Sequence, residues 1–252
     1  TRSGYSDPVV VTLLEEASVC FEQRRVLSMT LGHLDEACRA SINLGLLWQS
    51  SHQSQKALSS FSNAVDLAET LDNKNMLLDA LVEYGQEAIR QVGNQIDASN
   101  QDGHIELERA STYAQELGRR DVLCEVLQIL GRYEYAQGNI EKGLSQAKAS
   151  VALASVLSDA GRLSGASCLE GMCHMALNDN HSASISFKKQ LRATRVTGDR
   201  VGRTQALDGL TECYASQNKF EKAAEYAEEC LVLMEGMEDV AGEIDFRFKF
   251  GM

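Results

Sequence analysis

The chain has 252 residues, 44% of them hydrophobic and 24% charged, and its net charge is −12. This acidic balance opposes binding to nucleic-acid phosphates or to anionic membranes through the overall field of the protein. No apolar run approaches the roughly 20 residues that a membrane-spanning helix needs, and residues 1–7 show no secretory signal. We therefore expect no nucleic-acid partner, no direct membrane insertion and a cytoplasmic location, free or in a complex at the cytoskeleton or a membrane.

Proline and cysteine usage both favour an all-helical intracellular protein. Pro8 is the only proline, so helices can run without the lost hydrogen bond and steric clash that proline introduces. The cysteine count is 7, an odd number, and no Cys-x-x-Cys pair occurs. We interpret the cysteines as reduced, small core residues of a cytosolic chain.

Small residues recur at fixed intervals along the chain. One series is Gly45, Gly85, Gly131, Gly171 and Thr211, with spacings of 40, 46, 40 and 40 residues. A second series is Ala57, Gly103, Gly143, Ala183 and Ala223, with spacings of 46, 40, 40 and 40 residues. A constant period of this size indicates a repeat array. We therefore predict an all-α, right-handed solenoid of antiparallel helix pairs.

In chain order, residues 9–31 are predicted to form a lone second helix, because counting back 40 residues from Ala57 and Phe61 reaches Ala17 and Phe21. The five complete repeats are predicted at 34–72, 73–118, 119–158, 159–198 and 199–239. Residues 240–252 begin a further first helix. All belong to one predicted domain, 1–252, and because both ends fall inside a repeat we expect a fragment of a longer protein.

The first complete repeat shows the pattern most clearly. Leu44, Leu47 and Trp48 lie three or four residues apart and form one apolar face of its first helix. Gly45 and Ala57 are small where the two helices of the hairpin cross. The linkers between repeats combine residues that end one helix with an aspartate that caps the next. They are Leu71-Asp72, Ser158-Asp159, Gly198-Asp199 and Glu238-Asp239, together with Leu117-Gly118, which contains no aspartate.

The second and fourth repeats depart from this pattern. The second contains six extra residues within 93–103, a stretch rich in Gly, Asn, Asp and Ser that predicts a surface loop. Such an insertion is either a tolerated loop or part of a binding face. In the fourth repeat, Glu170 stands where the other repeats carry Leu or Tyr. The first-helix aromatic is replaced by Ala88, Glu134 and His174 in repeats two, three and four.

The pattern resembles the tetratricopeptide repeat, which has a Leu-Gly pair and an aromatic residue in its first helix and small and aromatic residues in its second. The best match comprises Leu44, Gly45, Trp48, Ala57, Phe61 and Ala64. The usual period of that repeat is about 34 residues, and the longer period here is similar to the extended repeats of Pins-type spindle-orientation adaptors and of rapsyn. The resemblance covers residues 9–250.

This resemblance implies a non-catalytic scaffold or adaptor that binds a partner peptide or helix in a concave groove lined by first helices. The implied groove residues are Arg39, Leu46, Gln49, Gln86, Arg90, Gln128, Arg132, Tyr135, Met172 and Met175. The same register adds Ile42, Asp79, Val82, Ile89, Glu125, Cys168, Gln205, Asp208 and Glu212. We expect Arg90 and Arg132 to hold a partner segment that carries acidic and apolar residues.

Catalytic and cofactor chemistry is not expected. Cys168, Cys173 and His174 are spaced so that a helix would splay them rather than gather them around a metal ion. No pattern places a nucleophile beside a base.

Two alternatives to groove binding remain open. One is a self-associating scaffold, a homo-oligomer joined through the ends of the solenoid, and the other is a regulatory module gated by a peptide.

Overall fold

The computed structural model describes residues 8–92, 100–237 and 240–250, which form twelve α-helices and no strand. The helices are α1 (Pro8–Thr30), α2 (Leu34–Ser50), α3 (Ser54–Thr70), α4 (Lys74–Val92), α5 (Asn100–Glu116), α6 (Arg120–Ala136), α7 (Ile140–Leu157), α8 (Ala160–Ala176), α9 (Asn180–Thr197), α10 (Arg200–Ser216), α11 (Phe220–Glu235) and α12 (Val240–Phe250). The lone helix predicted before the first complete repeat is α1.

The chain divides into two compact units, residues 1–119 and 120–252, and each is described by itself. In the first unit, each of the helices α1 to α4 packs against the helix that follows it. In the second unit, each of α6 to α12 packs against the next, and α8 also contacts α6 and α10. Short turns between consecutive helices make the neighbours antiparallel, so the predicted all-α array of helix pairs is confirmed. The assignment of the whole chain to a single domain stays a prediction.

Small residues allow the close helix crossings, as predicted. A Cβ atom placed on Gly171 would lie 2.8 Å from the ring of Phe187, and one placed on Gly103 would lie 2.7 Å from the Cβ of Ala88. Gly45 faces the ring of Phe61 in the same way. Real Cβ atoms do not approach other atoms this closely, so a larger residue at these positions would push the helices apart.

Every fully described turn between helices contains one residue in the left-handed backbone region. These residues are Gly32, His52, Asp72, Gly118, Gly138, Ser158, Asn178, Gly198 and Asn218. Glycine adopts this conformation at no steric cost, whereas other residues are strained there. These turns therefore share one backbone feature, whether or not the sequence supplies glycine.

Aspartate caps begin α8 and α10 as predicted. The side chain of Asp159 accepts a hydrogen bond from the Arg162 amide at 2.9 Å, and that of Asp199 accepts one from the Gly202 amide at 2.9 Å. Asp72 was predicted to have the same role, and this is wrong. Asp72 is the left-handed residue of its turn, and Asn73 caps α4 instead.

The loop predicted at 93–103 is shorter at its C-terminal end. Helix α5 begins at Asn100, and Gly103 is a buried helical residue that packs against α4. Residues 93–99 lie outside the described part of the chain. Gly103 lies inside α5 because the close crossing with α4 needs a residue without a side chain at this position.

Polar partners accommodate the unusual residues of repeats three and four. Glu170 is buried, and its Oε2 accepts hydrogen bonds from Ser186 Oγ at 2.9 Å and from Lys189 Nζ at 3.2 Å. Glu134 is also buried and accepts a hydrogen bond from Asn139 Nδ2 at 2.7 Å. Because hydrogen bonding offsets much of the cost of burying a carboxylate, the departures from the repeat pattern are compatible with the hairpins.

The cysteines are free thiols, and most are core residues, as predicted. Cys38, Cys124, Cys173, Cys213 and Cys230 are buried. The other two differ from this group, since Cys20 is exposed and Cys168 is half-buried.

Candidate functional site

A cavity of about 590 Å³ opens between the first helices α6, α8 and α10 of the second unit. Its lining residues come from three consecutive repeats, with one ring from α9 at the base. They are Arg132, Tyr135, Cys168, Leu169, Met172, Met175, Phe187, Gln205, Asp208, Gly209 and Glu212. A concave, partly apolar site with a few polar groups is typical of a ligand-binding pocket.

The repeat register explains why these side chains meet. Arg132, Met172 and Glu212 occupy the same position of successive first helices, 40 residues apart. Tyr135 and Met175 share a second position of this kind. Four of the ten residues implied by the resemblance therefore line one cavity, together with others that the register added. Gln128 is not among the lining residues, and its Nε2 donates instead to the Arg162 carbonyl at 3.3 Å.

The middle of the cavity is apolar and adaptable. Met172 is exposed and Met175 is partly buried against the core that contains Phe187. Methionine side chains are flexible and polarizable, so they can adjust to apolar groups of different shapes. The ring of Phe187 provides a fixed surface beneath them, because it packs closely against Gly171 and Gly209.

The two ends of the cavity differ in charge. Arg132 is exposed, and its guanidinium forms no hydrogen bond or ion pair with any described residue. At the other end, Lys249 of α12 binds both carboxylates. Its Nζ lies 3.0 Å from Asp208 Oδ1 and 2.9 Å from Glu212 Oε2. The site therefore has an unpaired arginine on α6 and, on α10, two carboxylates that are already paired with Lys249.

Two pKa shifts follow from these surroundings. Burial alone would lower the pKa of Lys249, but the hydrogen bonds to Glu212 and Asp208 outweigh it and the pKa is raised. Burial raises the pKa of the Cys168 thiol, although the charge of Arg132 acts in the opposite direction. At neutral pH Lys249 is charged and Cys168 is a neutral thiol.

In the first unit, three of the side chains expected to bind a partner pair with glutamates of the protein instead. Arg90 forms an ion pair with the fully buried Glu87 of the same helix. Gln49 of α2 donates to Glu87 Oε2 at 3.1 Å, and Arg39 lies 3.6 Å from Glu36. Val82 is 7% exposed, so little of its side chain is accessible to a partner, and its place in the groove lining stays a prediction.

Leu46 and Gln86 stay accessible in the first unit, as exposed and half-buried residues respectively.

Sequence reasoning missed Glu87, Lys249 and the contribution of Phe187. The spacing of Glu87 and Arg90 by three residues was a usable signal, because residues three apart on a helix are neighbours. No sequence signal pointed to Lys249, because α12 and α10 are distant in sequence and come together only in the folded chain.

A second cavity of about 330 Å³ lies among α3, α4 and α5 of the first unit. Its walls include several carboxylates, and its cation, Arg109, is already paired. Arg109 lies 2.7 Å from Glu69 and 2.7 Å from Glu106. The hydrogen bond to Glu69 is the main reason that the pKa of Arg109 is raised. This cavity therefore lacks the unpaired arginine that characterises the cavity of the second unit.

Two further findings concern only the described ranges. None of their helices is long and apolar enough to cross a membrane. Within the same residues, no three side chains of the His, Cys, Asp and Glu types are placed to hold a metal ion.

No family model matches the chain, and no curated protein matches its sequence. Solved structures do match. BtubC (BKLC) from P. vanneervenii aligns with a TM-score of 0.76 at 16% identity, over 89% of this chain and 91% of its own. A variant of a Podosopora anserina protein, described as a putative kinesin light chain with nearly identical TPR-like repeats, aligns with a TM-score of 0.65 at 15% identity, over 80% and 96%.

A Rap protein complexed with competence and sporulation factor aligns with a TM-score of 0.64 at 17% identity, over 93% of this chain and 68% of its own. At such low identities the similarity concerns the fold alone. The chain has the fold of tetratricopeptide-repeat proteins, as the sequence pattern indicated. The closer likeness to the extended repeats of Pins-type adaptors and rapsyn stays a prediction.

Proposed function

We propose that the chain is a non-catalytic interaction module that binds a peptide segment of a partner protein in the cavity of α6, α8 and α10. The observation that carries this proposal is the unpaired Arg132 beside the apolar surface of Met172, Met175 and Phe187. A segment with an acidic residue followed by apolar residues complements both features.

Arg132 is suited to a carboxylate, because a guanidinium presents several donors in a plane and can bind both oxygens at once. Such a charge-assisted interaction is stronger than a neutral hydrogen bond. The methionines add affinity by covering an apolar side chain of the segment. Together they favour a ligand that is acidic at one end and apolar next to it.

The chemistry of the cavity supports binding more than catalysis. The nucleophile available there is Cys168, and burial raises the pKa of its thiol. A thiol reacts as its thiolate, so a raised pKa lowers its reactivity at neutral pH. The related fold of a Rap protein holds competence and sporulation factor, which supports the idea that such repeats can take a ligand.

The proposal can be tested with a phage-displayed library of random peptides of about twelve residues, which at roughly 3.3 Å per residue can cross three first helices. We expect the wild-type protein to enrich peptides that carry Asp or Glu beside apolar residues. The Arg132→Glu variant should lose these peptides, with an affinity at least about tenfold lower. Arg192→Glu, which reverses an exposed arginine outside the cavity, should enrich the same peptides as wild type.

The outcome that contradicts the proposal is equally specific. If Arg132→Glu and wild type enrich the same peptides, or if neither enriches any, the cavity is not a peptide site of this kind. Circular dichroism of both variants establishes that the helices are intact.

Self-association through α1 is a second candidate function, and one observation favours it. Leu13, Leu27 and Leu31 are 58%, 60% and 62% exposed, so an apolar surface runs along this part of the chain. Exposed apolar patches mark interaction surfaces. Light scattering across a dilution series decides between the two candidates. An oligomer that survives dilution and is lost in Leu13→Glu/Leu27→Glu supports self-association, and a monomer throughout contradicts it.

A further inference from the structure

Resting on the proposed function, we infer that the bound segment also carries a lysine or arginine, which replaces Lys249 between Asp208 and Glu212. The partner is then a peptide whose residue types follow a fixed order along the cavity. An acidic residue binds Arg132, apolar residues cover the methionines and a basic residue binds the carboxylates of α10. The inference concerns the opposite end of the cavity from the one that carries the proposed function.

The contacts of Lys249 show that Asp208 and Glu212 together form a site for an ammonium group. The Nζ atom lies 3.0 and 3.2 Å from the two oxygens of Asp208 and 2.9 Å from Glu212 Oε2. An ammonium group has three N–H donors, so the three oxygens use all of them. The same three acceptors suit the side chain of a lysine, or of an arginine, from another protein.

The two carboxylates favour a cation between them. Asp208 and Glu212 are four residues apart on α10, and like charges at this spacing destabilise a helix. Lys249 supplies one positive charge against two negative charges. The other cation of α12 is engaged elsewhere, since Arg247 lies 2.8 Å from Glu243 and 3.8 Å from Glu235. This end of the cavity therefore stays anionic and attracts a further cation.

Lys249 is also positioned so that it can be exchanged. The side chains of Lys249, Asp208 and Glu212 are 43%, 37% and 41% exposed, and ion pairs that are this accessible to water contribute little to stability. Helix α12 is held independently of these ion pairs. The ring of Phe246 is buried in a core cluster with residues of α9, α10 and α11, and Phe250 packs against the same cluster.

The distance across the cavity sets the spacing of charges in the ligand. Neighbouring helix axes are about 8–10 Å apart, and α8 lies between α6 and α10. Arg132 and the carboxylate pair are therefore about 20 Å apart, which an extended peptide crosses in about six residues. We expect the basic residue of the segment about five to seven positions from its acidic residue.

The test screens the same phage-displayed library in parallel against wild type and Asp208→Asn/Glu212→Gln. Synthetic copies of the enriched peptides, with and without their basic residue, are then titrated by fluorescence anisotropy. Because ion pairs this accessible to water are weak, replacing the basic residue with glutamine should lower affinity for wild type about two- to fivefold and leave affinity for the double variant unchanged. Glu225→Gln, which neutralises an exposed glutamate outside the cavity, is the matched control and should behave as wild type.

The Lys249→Gln variant tests whether Lys249 is displaced by the basic residue of the peptide or only supports α12. Removing the internal competitor should strengthen binding of the basic peptides about two- to fivefold and leave their glutamine versions unchanged. If Lys249 only supports α12, both versions should weaken together, and the inference is overturned. Lys148→Gln serves as the control for an exposed lysine.

The failures of the two proposals can be told apart. Enriched peptides that depend on Arg132 but show no basic preference, or that bind the double variant equally well, overturn the inference and leave the proposed function standing. If wild type enriches no peptide at all, both are overturned.

Discussion

Arg90 in the first unit and Arg132 in the second were expected to serve the same purpose, yet their surroundings differ. Arg90 is paired with the buried Glu87, which also accepts a hydrogen bond from Gln49. Arg132 has no such partner among the described residues and lines a cavity. The difference follows from the sequence of each helix, since Arg90 has Glu87 one turn away on α4 and Arg132 has no acidic residue three or four positions away on α6.

Because Glu87 is buried, Arg90 and Arg132 also differ in how much they contribute to stability. Glu87 is fully buried, and its Oε1 has no hydrogen-bond partner. A buried carboxylate without its cation is costly, so Arg90 contributes to the stability of the first unit. Arg132 has no comparable role in the fold. The four predictions below test this division between a stabilising arginine and a binding arginine.

The largest expected effect is on stability. Arg90→Ala removes the ion-pair partner of Glu87, and we expect it to destabilise the first unit by about 1–3 kcal/mol. Arg132→Ala should change stability by less than about 0.5 kcal/mol. The measurement is hydrogen exchange of the buried amides of α4, such as those of Leu78 and Leu81, compared with the amides of α6.

Glu87→Leu is the matched control, because Leu47 occupies the equivalent position of the preceding repeat. Replacing a buried ion pair with apolar residues is often neutral or stabilising, so Arg90→Ala should cost little when Glu87→Leu is also present. If Arg90→Ala is equally destabilising with and without Glu87→Leu, the ion pair does not carry the effect.

The second prediction concerns ligand affinity and reverses the ranking of the two arginines. Arg132→Gln should weaken peptides selected on wild type about tenfold, because a charge-assisted interaction is lost. Arg90→Gln should leave their affinity unchanged despite its effect on stability. Anisotropy titrations with one labelled peptide decide this. Equal losses for both variants would contradict this division between the two arginines.

The third prediction uses the different caps of the two units. A backbone hydrogen bond from Arg162 and an ion pair with the same residue lower the pKa of Asp159. The stabilising contribution of this cap, about 1 kcal/mol, is present above the ordinary aspartate pKa of about 4. It is lost as the pH falls through the lowered value of the folded protein. The cap of α4, Asn73, does not titrate.

We therefore expect protection factors in the first turn of α8 to fall on acidification, while those of α4 stay constant. Asp159→Asn should remove the pH dependence and keep the cap, because asparagine caps helices as well as aspartate does. Asp159→Ala should lower protection of α8 at every pH. A pH dependence of α8 that persists in Asp159→Asn would assign the effect to another group.

The smallest effect is on thiol reactivity. Burial raises the pKa of Cys38 in the first unit to about 11 and also raises that of Cys168 in the second. The exposed Cys20 should react with iodoacetamide first, Cys168 slowly and Cys38 last. A saturating cavity peptide should slow Cys168 further and leave Cys20 unchanged, as followed by mass spectrometry. Protection of Cys20 instead would place the peptide on α1.

Most of the fold could be predicted because the repeat period fixes which faces are buried. The small residues at Gly45, Gly103 and Gly171 predicted the close crossings, and the structure confirms them. The turn chemistry was harder to predict. Asp72 and Asp159 look alike as linker aspartates, but one adopts the left-handed conformation and the other caps a helix. The left-handed residue and the cap are adjacent positions in the turn, so a shift of the aspartate by one residue decides between these roles.

The site could be predicted only in part, for a different reason. Register identified Arg132, Tyr135, Met172 and Met175 as residues of one surface, and all four line the cavity. Register describes single helices, so it could not show that Lys249 of α12 meets Asp208 of α10. The Glu87–Arg90 pair, by contrast, was visible in the sequence from its spacing.

The left-handed residue in each fully described turn has an evolutionary consequence. From Gly118 to Asn218 it returns at every twentieth position, so these turns share one backbone feature at a constant spacing. Genetic duplication or deletion of one whole repeat, broken at two such turns, would join helices through a backbone feature that the protein already uses. Arrays of this kind can gain or lose binding surface without inventing a new joint.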